Sequence, residues 1–341
     1  MRRPTIQDVA EVAKVSLSTV DRVLNKRGGV SIRAVKRVEE AILKTGYIRD
    51  LAAANLSRNR AYRIKFLVPD SDTTFLGSIV DAVTGAQQRM SPERVDIRLE
   101  RVAAFNGEAY RRALAAIDPD SIDGVILMAV ESPGVMEEVG RLRSAGKHII
   151  TLVSDLPHSA RRVYVGPNNV AAGRTAAAFM GKLIRAGRGE IVIISGANSV
   201  RDHVERRLGF EAMIRDYFPR FAVRGARESH DDPAITYELV REAITSGDVV
   251  GVYSVGGGSR GVMRAVADLD GTPRPITITH ELTPSARTGL RENLIDLVID
   301  QDPAGEVRRA ISLLRELIDG HEVDPAAGLI QPHIYISENM P

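Results

Sequence analysis

From Tyr62 onward the sequence alternates between short apolar runs and longer stretches with helical spacing. Residues 64–68, 95–102, 123–130, 148–153, 190–195, 221–228, 249–255, 276–280 and 294–299 read as strands. Between them, residues 76–90, 107–117, 133–145, 170–185, 202–217 and 233–246 read as helices, with apolar positions three and four apart. Repeated βα units predict parallel sheets covered by helices on both faces. So many units divide better into two lobes than into one sheet. Ligands of such sheets lie outside the carboxyl ends of the strands. Two facing lobes therefore predict a binding cleft between them.

The first 60 residues follow a different pattern. They hold 13 Lys/Arg against 6 Asp/Glu, whereas the remaining 281 residues hold 33 against 38. A small basic head on a mildly acidic body predicts that only the head meets a polyanion. Thr5 is placed to cap a helix whose third residue is Asp8, the arrangement of a capping box. Ile6, Val9, Ala10 and Ala13 then recur at helical spacing. Val15 and Ser16 break that run, and Ser16 caps a second helix from Leu17 to about Asn25. Ser31 caps a third helix to about Thr45, with Val35, Val38 and Ile42 as its inward stripe and Gly46 as its stop. Three short helices with a tight turn between the first two describe a helix-turn-helix unit.

In such a unit the second helix enters the major groove. Val20 and Val23 fix its inward face, so Leu17, Ser18, Asp21 and Arg22 fall outside. Arg22 is suited to bidentate bonding of a guanine edge, Ser18 to a base edge and Leu17 to a thymine methyl. Thr5, Ser16, Thr19 and Asn25 are expected phosphate contacts, which set register without reading sequence. Residues 50–56 are alanine-rich and helix-prone, but too few to fold alone in water.

The runs Thr5-Ile6-Gln7-Asp8-Val9-Ala10, Ala13-Lys14-Val15-Ser16, Thr19-Val20, Arg22-Val23-Leu24-Asn25, Val30-Ser31 and Gly46-Tyr47-Ile48 resemble the DNA-binding head of the lactose/galactose-repressor family of bacterial transcription regulators. Asp21 departs from the serine common there. The resemblance implies that residues 50–60 form a hinge helix. That helix orders on operator binding, pairs with its twin in a dimer and inserts Leu56 into the minor groove, bending the DNA.

Residues 62–338 resemble the sugar-binding-protein-like effector domain of the same family, close to ribose-type periplasmic binding proteins. The landmarks are Pro69-Asp70, Phe75, Asp123-Gly124-Val125-Ile126, Val165-Gly166 with Asn168-Asn169, Ala172-Gly173, Arg206 before Gly209-Phe210, His280-Glu281-Leu282-Thr283 and Ile299-Asp300-Gln301-Asp302-Pro303. The resemblance implies an effector site built from Thr73, Phe75, Leu76, Arg206, Glu281 and Gln301. Phe75 keeps a stacking face, while Thr73 and Leu76 depart from the Asn and the aromatic found there in sugar binders. Asp155, just past the strand at 148–153, is expected as a further cleft acceptor.

Composition removes several other chemistries. The chain has no cysteine, which excludes disulfides, thiolate metal sites and cysteine nucleophiles. Its seven histidines form no H-x-x-x-H or H-x-H pair for a metal. No apolar run reaches the ~18 residues a membrane span needs. Met1-Arg2-Arg3-Pro4-Thr5 opens basic with no apolar stretch behind it, so no secretory signal is expected. Gly256-Gly257-Gly258-Ser259-Arg260-Gly261 satisfies the dinucleotide fingerprint G-x-G-x-x-G. It lies deep in the chain rather than in a first βα turn, and Asp268 and Asp270 fall too close to serve as the expected acid, although Glu281 stands at a tolerable distance. Close packing or a ligand approaching backbone is the expected use of that run.

The expectation is a helix-turn-helix head at residues 1–49, a hinge at 50–60 and a two-lobed α/β body of parallel sheets at 61–341. Such a chain would be a cytoplasmic transcription regulator, most simply a repressor, and not an enzyme. It would bind a palindromic operator DNA as a homodimer, with no heptad tail for a tetramer. A small polar effector, a sugar, sugar alcohol or sugar acid, would control it, with no cofactor, metal or membrane. A solute receptor and a nicotinamide-dependent enzyme are the alternatives.

Overall fold

The computed structural model describes residues 4–24, 28–47, 61–128, 130–269 and 273–341. The chain divides into two compact units, Met1–Arg60 and Ala61–Pro341.

The first unit holds α1 (Ile6–Ala13), α2 (Leu17–Leu24) and α3 (Ile32–Thr45). Thr5 and Asp8 form a reciprocal capping box: the Thr5 side chain accepts from the Asp8 amide, and the Asp8 carboxylate accepts from the Thr5 amide at 2.6 Å. Lys14, at φ 50°, ends α1 in the left-handed region. Arg37 of α3 then donates to the Lys14 carbonyl at 2.6 Å. Val9, Ala10, Ala13, Val20, Val38 and Ala41 make the core. Val35 is not in it, contrary to the predicted stripe. The eight-residue α1 and α2 are each ~12 Å long and cannot cover all of the fourteen-residue α3.

The second unit has two lobes, each built on one sheet. The first sheet runs β2-β1-β3-β4-β5 and is parallel throughout. Its strands are β1 (Tyr62–Asp70), β2 (Val95–Ala103), β3 (Gly124–Leu127), β4 (His148–Leu152) and β5 (Val163–Val165). Neighbouring β1 residues face opposite cores. Phe66 packs with Ile79, Val83 and Ile150, whereas Leu67 packs with Tyr110, Leu114 and Leu142. Burial on both faces is why these strands read as continuous apolar runs. The covering helices are α4 (Thr74–Met90), α5 (Gly107–Ala115) and α6 (Pro133–Ser144).

The second sheet runs β11-β10-β9-β8-β6-β7. Its strands are β6 (Gly189–Ser195), β7 (Phe221–Glu228), β8 (Val249–Ser254), β9 (Ile276–His280), β10 (Leu297–Asp300) and β11 (His333–Tyr335). Its helices are α7 (Asn169–Leu183), α8 (Arg201–Tyr217), α9 (Pro233–Ser246), α10 (Ser259–Ala267) and α11 (Pro284–Arg291). The sheet is parallel as expected except at one edge, where β11 pairs antiparallel with β10. A chain returning to an open edge strand covers it whatever its direction.

Helix α12 (Pro303–Ile318) follows β10 yet leaves the second lobe. Its Val307, Ile311, Leu314 and Leu317 are buried in the first lobe's core, where each contributes roughly 1.5–3 kcal/mol. The chain therefore crosses between lobes three times: after β5, at Gln301–Asp302 after β10, and between α12 and β11. The predicted strand at 123–130 stops at Leu127, and Met128 and Val130 turn into the cleft instead. The strand expected at 294–299 starts only at Leu297, because Asn293 makes a left-handed turn at φ 56°. Among the described residues, no helix is long and apolar enough to cross a membrane.

Candidate functional site

A cavity of about 90 Å³ lies between the lobes, and an outer chamber of about 510 Å³ shares Ser71, Thr73, Phe75, Asp231, Gly257 and Glu281 with it. Its walls come from strand ends and helix starts. Ser71 and Thr73 follow β1, and Val153 and Ser154 follow β4. Gly256 follows β8, Glu281 follows β9 and Gln301 follows β10. All are carboxyl ends of strands, as the parallel topology requires.

Arg206 is the centre of the site and is almost completely buried. Its position depends on two glycines. A Cβ on Gly173 of α7 would lie 1.9 Å from the Arg206 carbonyl, and one on Gly209 of α8 would lie 2.2 Å from the Val170 carbonyl. Without side chains there, α7 and α8 approach closely enough for Arg206 to reach its partners. Nε donates to Asn169 Oδ1 at 2.8 Å, Nη1 to the Val255 carbonyl at 2.9 Å and Nη2 to Gln301 Oε1 at 3.4 Å. Glu281 Oε1 lies 3.9 Å from Nη1, and Asp202 Oδ2 lies 4.0 Å from Nη2. Burial works against the guanidinium charge, and these two carboxylates more than restore it, so its pKa moves up.

The carboxylates are affected differently. Burial pushes the Glu281 carboxyl up to about 8, against the opposing pull of Arg206. Behind it, Glu306 at the start of α12 is also raised well above the usual range, first by burial and then by Glu281. Gln301 Nε2 donates to Glu281 Oε1 at 2.6 Å. Four polar atoms on cavity-lining residues have no protein partner: Tyr110 Oη, Ser154 Oγ, Asp202 Oδ1 and Glu281 Oε2. Each such buried group costs about 1–3 kcal/mol unless a ligand or water satisfies it.

Backbone strain collects at the same place. Of nine non-glycine residues at positive φ among those described, Phe105, Val153, Asp231 and Glu281 line the cavity. A β-branched residue such as Val153, at φ 64°, is rarely found there. Strain held at a cleft is a mark of a positioned site.

Six of the seven effector residues expected from the sequence line this cavity: Thr73, Phe75, Leu76, Arg206, Glu281 and Gln301. Thr73 also caps α4 through the Leu76 amide, and Leu76 is buried against the first lobe's core. The seventh is corrected. Asp155 is not among the lining residues. Its carboxylate is occupied by Thr151 Oγ1 at 2.8 Å, the Leu156 amide at 2.7 Å and Arg161. Asp155 therefore ties down its own loop. The sequence reading missed Tyr110, Ser154, Asp202, His203 and Asp231, all of which line the cavity.

The run Gly256–Gly261 is explained by close contacts. A Cβ on Gly261 would meet the Pro233 carbonyl at 2.3 Å, so α9 and α10 pack through it. Gly257 donates its amide to Asp231 Oδ1 at 2.7 Å, which aims that carboxylate at the cavity. The run also satisfies the nucleophile-elbow spacing G-x-S-x-G at Gly257–Gly261. Its Ser259 is buried and pairs with Thr283 Oγ1 at 3.1 Å.

In the first unit, Leu17, Ser18 and Arg22 are exposed on α2, opposite the buried Val20. Arg22 Nη1 donates to the Gly28 carbonyl at 3.4 Å, a long bond that leaves the guanidinium accessible. Ser16 and Thr19 share a hydroxyl bond of 2.9 Å. The Thr5 hydroxyl bonds Asp8 at 2.7 Å. Asn25 and Leu56 lie outside the described residues, as does the expected hinge.

Comparison with known proteins matches each unit separately. Residues 100–322 match the family described as periplasmic binding protein domain. Residues 5–50 match the one described as bacterial regulatory proteins, lacI family. The ribose operon repressor of Halalkalibacterium halodurans is 35% identical over 123 residues, 36% of this chain and 36% of that protein. The transcriptional regulator CelR of Thermobifida fusca is 26% identical over 239 residues, 69% of this chain and 66% of that protein. The matched part thus spans less than two thirds of either relative. Among solved structures, a solute-binding protein of Burkholderia graminis in complex with D-arabinose superposes with a TM-score of 0.73 at 21% identity, covering 82% of this chain and 96% of that one. A glucose-galactose binding protein of Geobacillus stearothermophilus gives 0.73 at 20% identity, covering 83% and 99%.

Proposed function

Because the chain belongs to the periplasmic-binding-protein domain family and carries a lacI-family regulatory head, we propose that it is a DNA-binding transcription regulator, acting as a repressor under control of a small polyhydroxylated effector. The observation that carries this reading is the pairing, in one chain, of a helix-turn-helix head with a lobe-lobe cavity holding four unpartnered polar atoms. A sugar or sugar alcohol supplies the donors and acceptors those atoms need, and Phe75 offers a ring to its apolar face.

The reading places the protein in the cytoplasm as a homodimer, each copy giving one α2 to a half-site of a palindromic operator. Thr5, Ser16, Thr19 and Asn25 would hold phosphates, while Leu17, Ser18 and Arg22 would face bases. Residues 50–60 would form the hinge, with Leu56 as its wedge. Effector and operator must then change each other's affinity by the same factor. The repressor and regulator relatives, and the D-arabinose held by one structural neighbour, support this class of function.

The test is a thermal-shift screen of the full chain against sugars and polyols, followed by operator selection from random DNA with and without the hit. The reading expects a ligand that stabilises by ~2.7 kcal/mol at a hundredfold excess over its Kd and that shifts DNA affinity. Failure to enrich any DNA sequence would overturn it.

A further inference from the structure

The charges around the cavity are unequal. Asp202, Asp231 and Glu281 line it, and Arg206 is the one arginine among its described lining residues. Arg206 is moreover committed, since three protein oxygens take its N–H groups within hydrogen-bond distance. The outer chamber adds Asp72 and Asp232, against Arg260. Asp202 and Glu281 are more than nine-tenths buried, and each keeps one oxygen without a protein partner.

An unpartnered carboxylate oxygen accepts hydrogen bonds and donates none while ionised. It is satisfied by a hydroxyl or an ammonium. A carboxylate or phosphate on the ligand would instead meet the Asp202 and Asp231 carboxylates in a site shielded from water, where like charges repel most.

We propose that the cavity selects its effector by charge, accepting neutral and amino-bearing polyols and rejecting sugar acids and sugar phosphates. The proposal rests on the reading of this cavity as a polyol site and narrows its class. Asp202 is the residue that discriminates, because its unpartnered oxygen must take a ligand donor. Asp231, held by the Gly257 amide, adds a second negative wall.

The test uses matched sets on one carbon skeleton, such as glucose, glucosamine, glucuronic acid and glucose 6-phosphate, with the corresponding galactose and mannose sets and pentose-based analogues. Binding to the full chain is read by calorimetry at pH 7. The neutral or amino member of at least one set should bind, and its acid and phosphate should bind about tenfold or more weakly. In Asp202→Asn, which keeps shape and removes charge, that ratio should fall toward one. An acid or phosphate binding as tightly as its parent in wild type overturns the proposal and leaves the polyol reading standing. If no member of any charge binds, both fail together. Since the wild-type ratio decides the matter, a variant that does not fold leaves the test intact.

Discussion

Gln301 Nε2 donates to Glu281 Oε1 at 2.6 Å, and its Oε1 receives Arg206 Nη2 at 3.4 Å. Gln301 stands where the chain leaves β10 for α12, whose apolar face belongs to the first lobe. Glu281 and Arg206 belong to the second. One side chain at a crossover thus contacts two charged-type side chains of the cavity wall. Any ligand that pulls Glu281 or Arg206 changes the bonds of a segment joining the lobes, which gives effector binding a direct route to lobe geometry.

Arg206→Ala should abolish effector binding and also weaken the fold. The truncation removes the cation beside Asp202 and Glu281 and strands the Val255 carbonyl and Asn169 Oδ1. Breaking a buried charged cluster from one side costs about 3–5 kcal/mol. Urea unfolding of wild type and variant measures this. A loss under ~1 kcal/mol would mean that water replaces the guanidinium and that the cluster is not closed.

Glu281 predicts a pH dependence. Burial and its neighbours Arg206, Asp300, Asp202 and Gln301 set its folded pKa near 8, while the unfolded carboxyl ionises near 4.5. A raised folded pKa means that the native state binds the extra proton between those values. Stability from this group is therefore full below pH 4.5 and falls as pH rises toward 8. Glu281→Gln should have little effect near pH 4.5 and become progressively stabilising, relative to wild type, from about pH 5 to 8. Melting temperatures of both proteins across that range decide it, and parallel curves would count against the shift.

What the sequence displayed, and what it hid, follows from the range of the interactions. The Thr5–Asp8 box and the Ser31 cap are local, three residues apart, and both stand where capping chemistry put them. Arg206 was visible through its company, Gly173 and Gly209, whose missing side chains admit the close helix pair. Tyr110 lies within the helical stretch at 107–117 with nothing local to mark it, and only the convergence of two lobes brings its residue to the cavity wall. Asp202, at the start of the stretch at 202–217, was unmarked for the same reason. Asp155 misled because its place after β4 fits a cleft acceptor, whereas Arg161, six residues on, already holds it. The return of α12 to the first lobe was hidden because alternation records the order of elements, not the sheet each one covers.

In the head, Arg22→Ala should cost ~1–3 kcal/mol of operator binding and relax preference at one base pair per half-site. Arg22 is exposed on α2 opposite the buried Val20. Competition binding against single-base operator variants checks this. Equal weakening on every sequence would assign Arg22 to phosphate.

Leu56→Ser should weaken specific binding much more than non-specific binding, since a minor-groove wedge is used only on bent DNA. The motive is an apolar residue ending an alanine-rich segment too short to fold alone. A bending assay that gives one angle for both proteins would remove the wedge role.

Two glycines separate helix spacing from helix propensity in positioning the site. Gly173→Ala places a methyl 1.9 Å from the Arg206 carbonyl, and the atom it meets is backbone, so α7 and α8 must move apart. Overpacking of this kind costs ~1–3 kcal/mol. The same substitution at Gly140, a position on α6 with nothing within 4 Å, should instead stabilise by ~0.5–1 kcal/mol, because alanine favours the helix. Parting the two helices shifts Arg206 away from Val255 and Gln301, which come from other strands and do not follow it. Gly173→Ala should therefore lose effector affinity, whereas Gly140→Ala should keep it. Calorimetry and urea unfolding on both variants separate the outcomes. If Gly173→Ala binds effector like wild type, the helix spacing does not set Arg206, and its hydrogen-bond partners alone hold it in place.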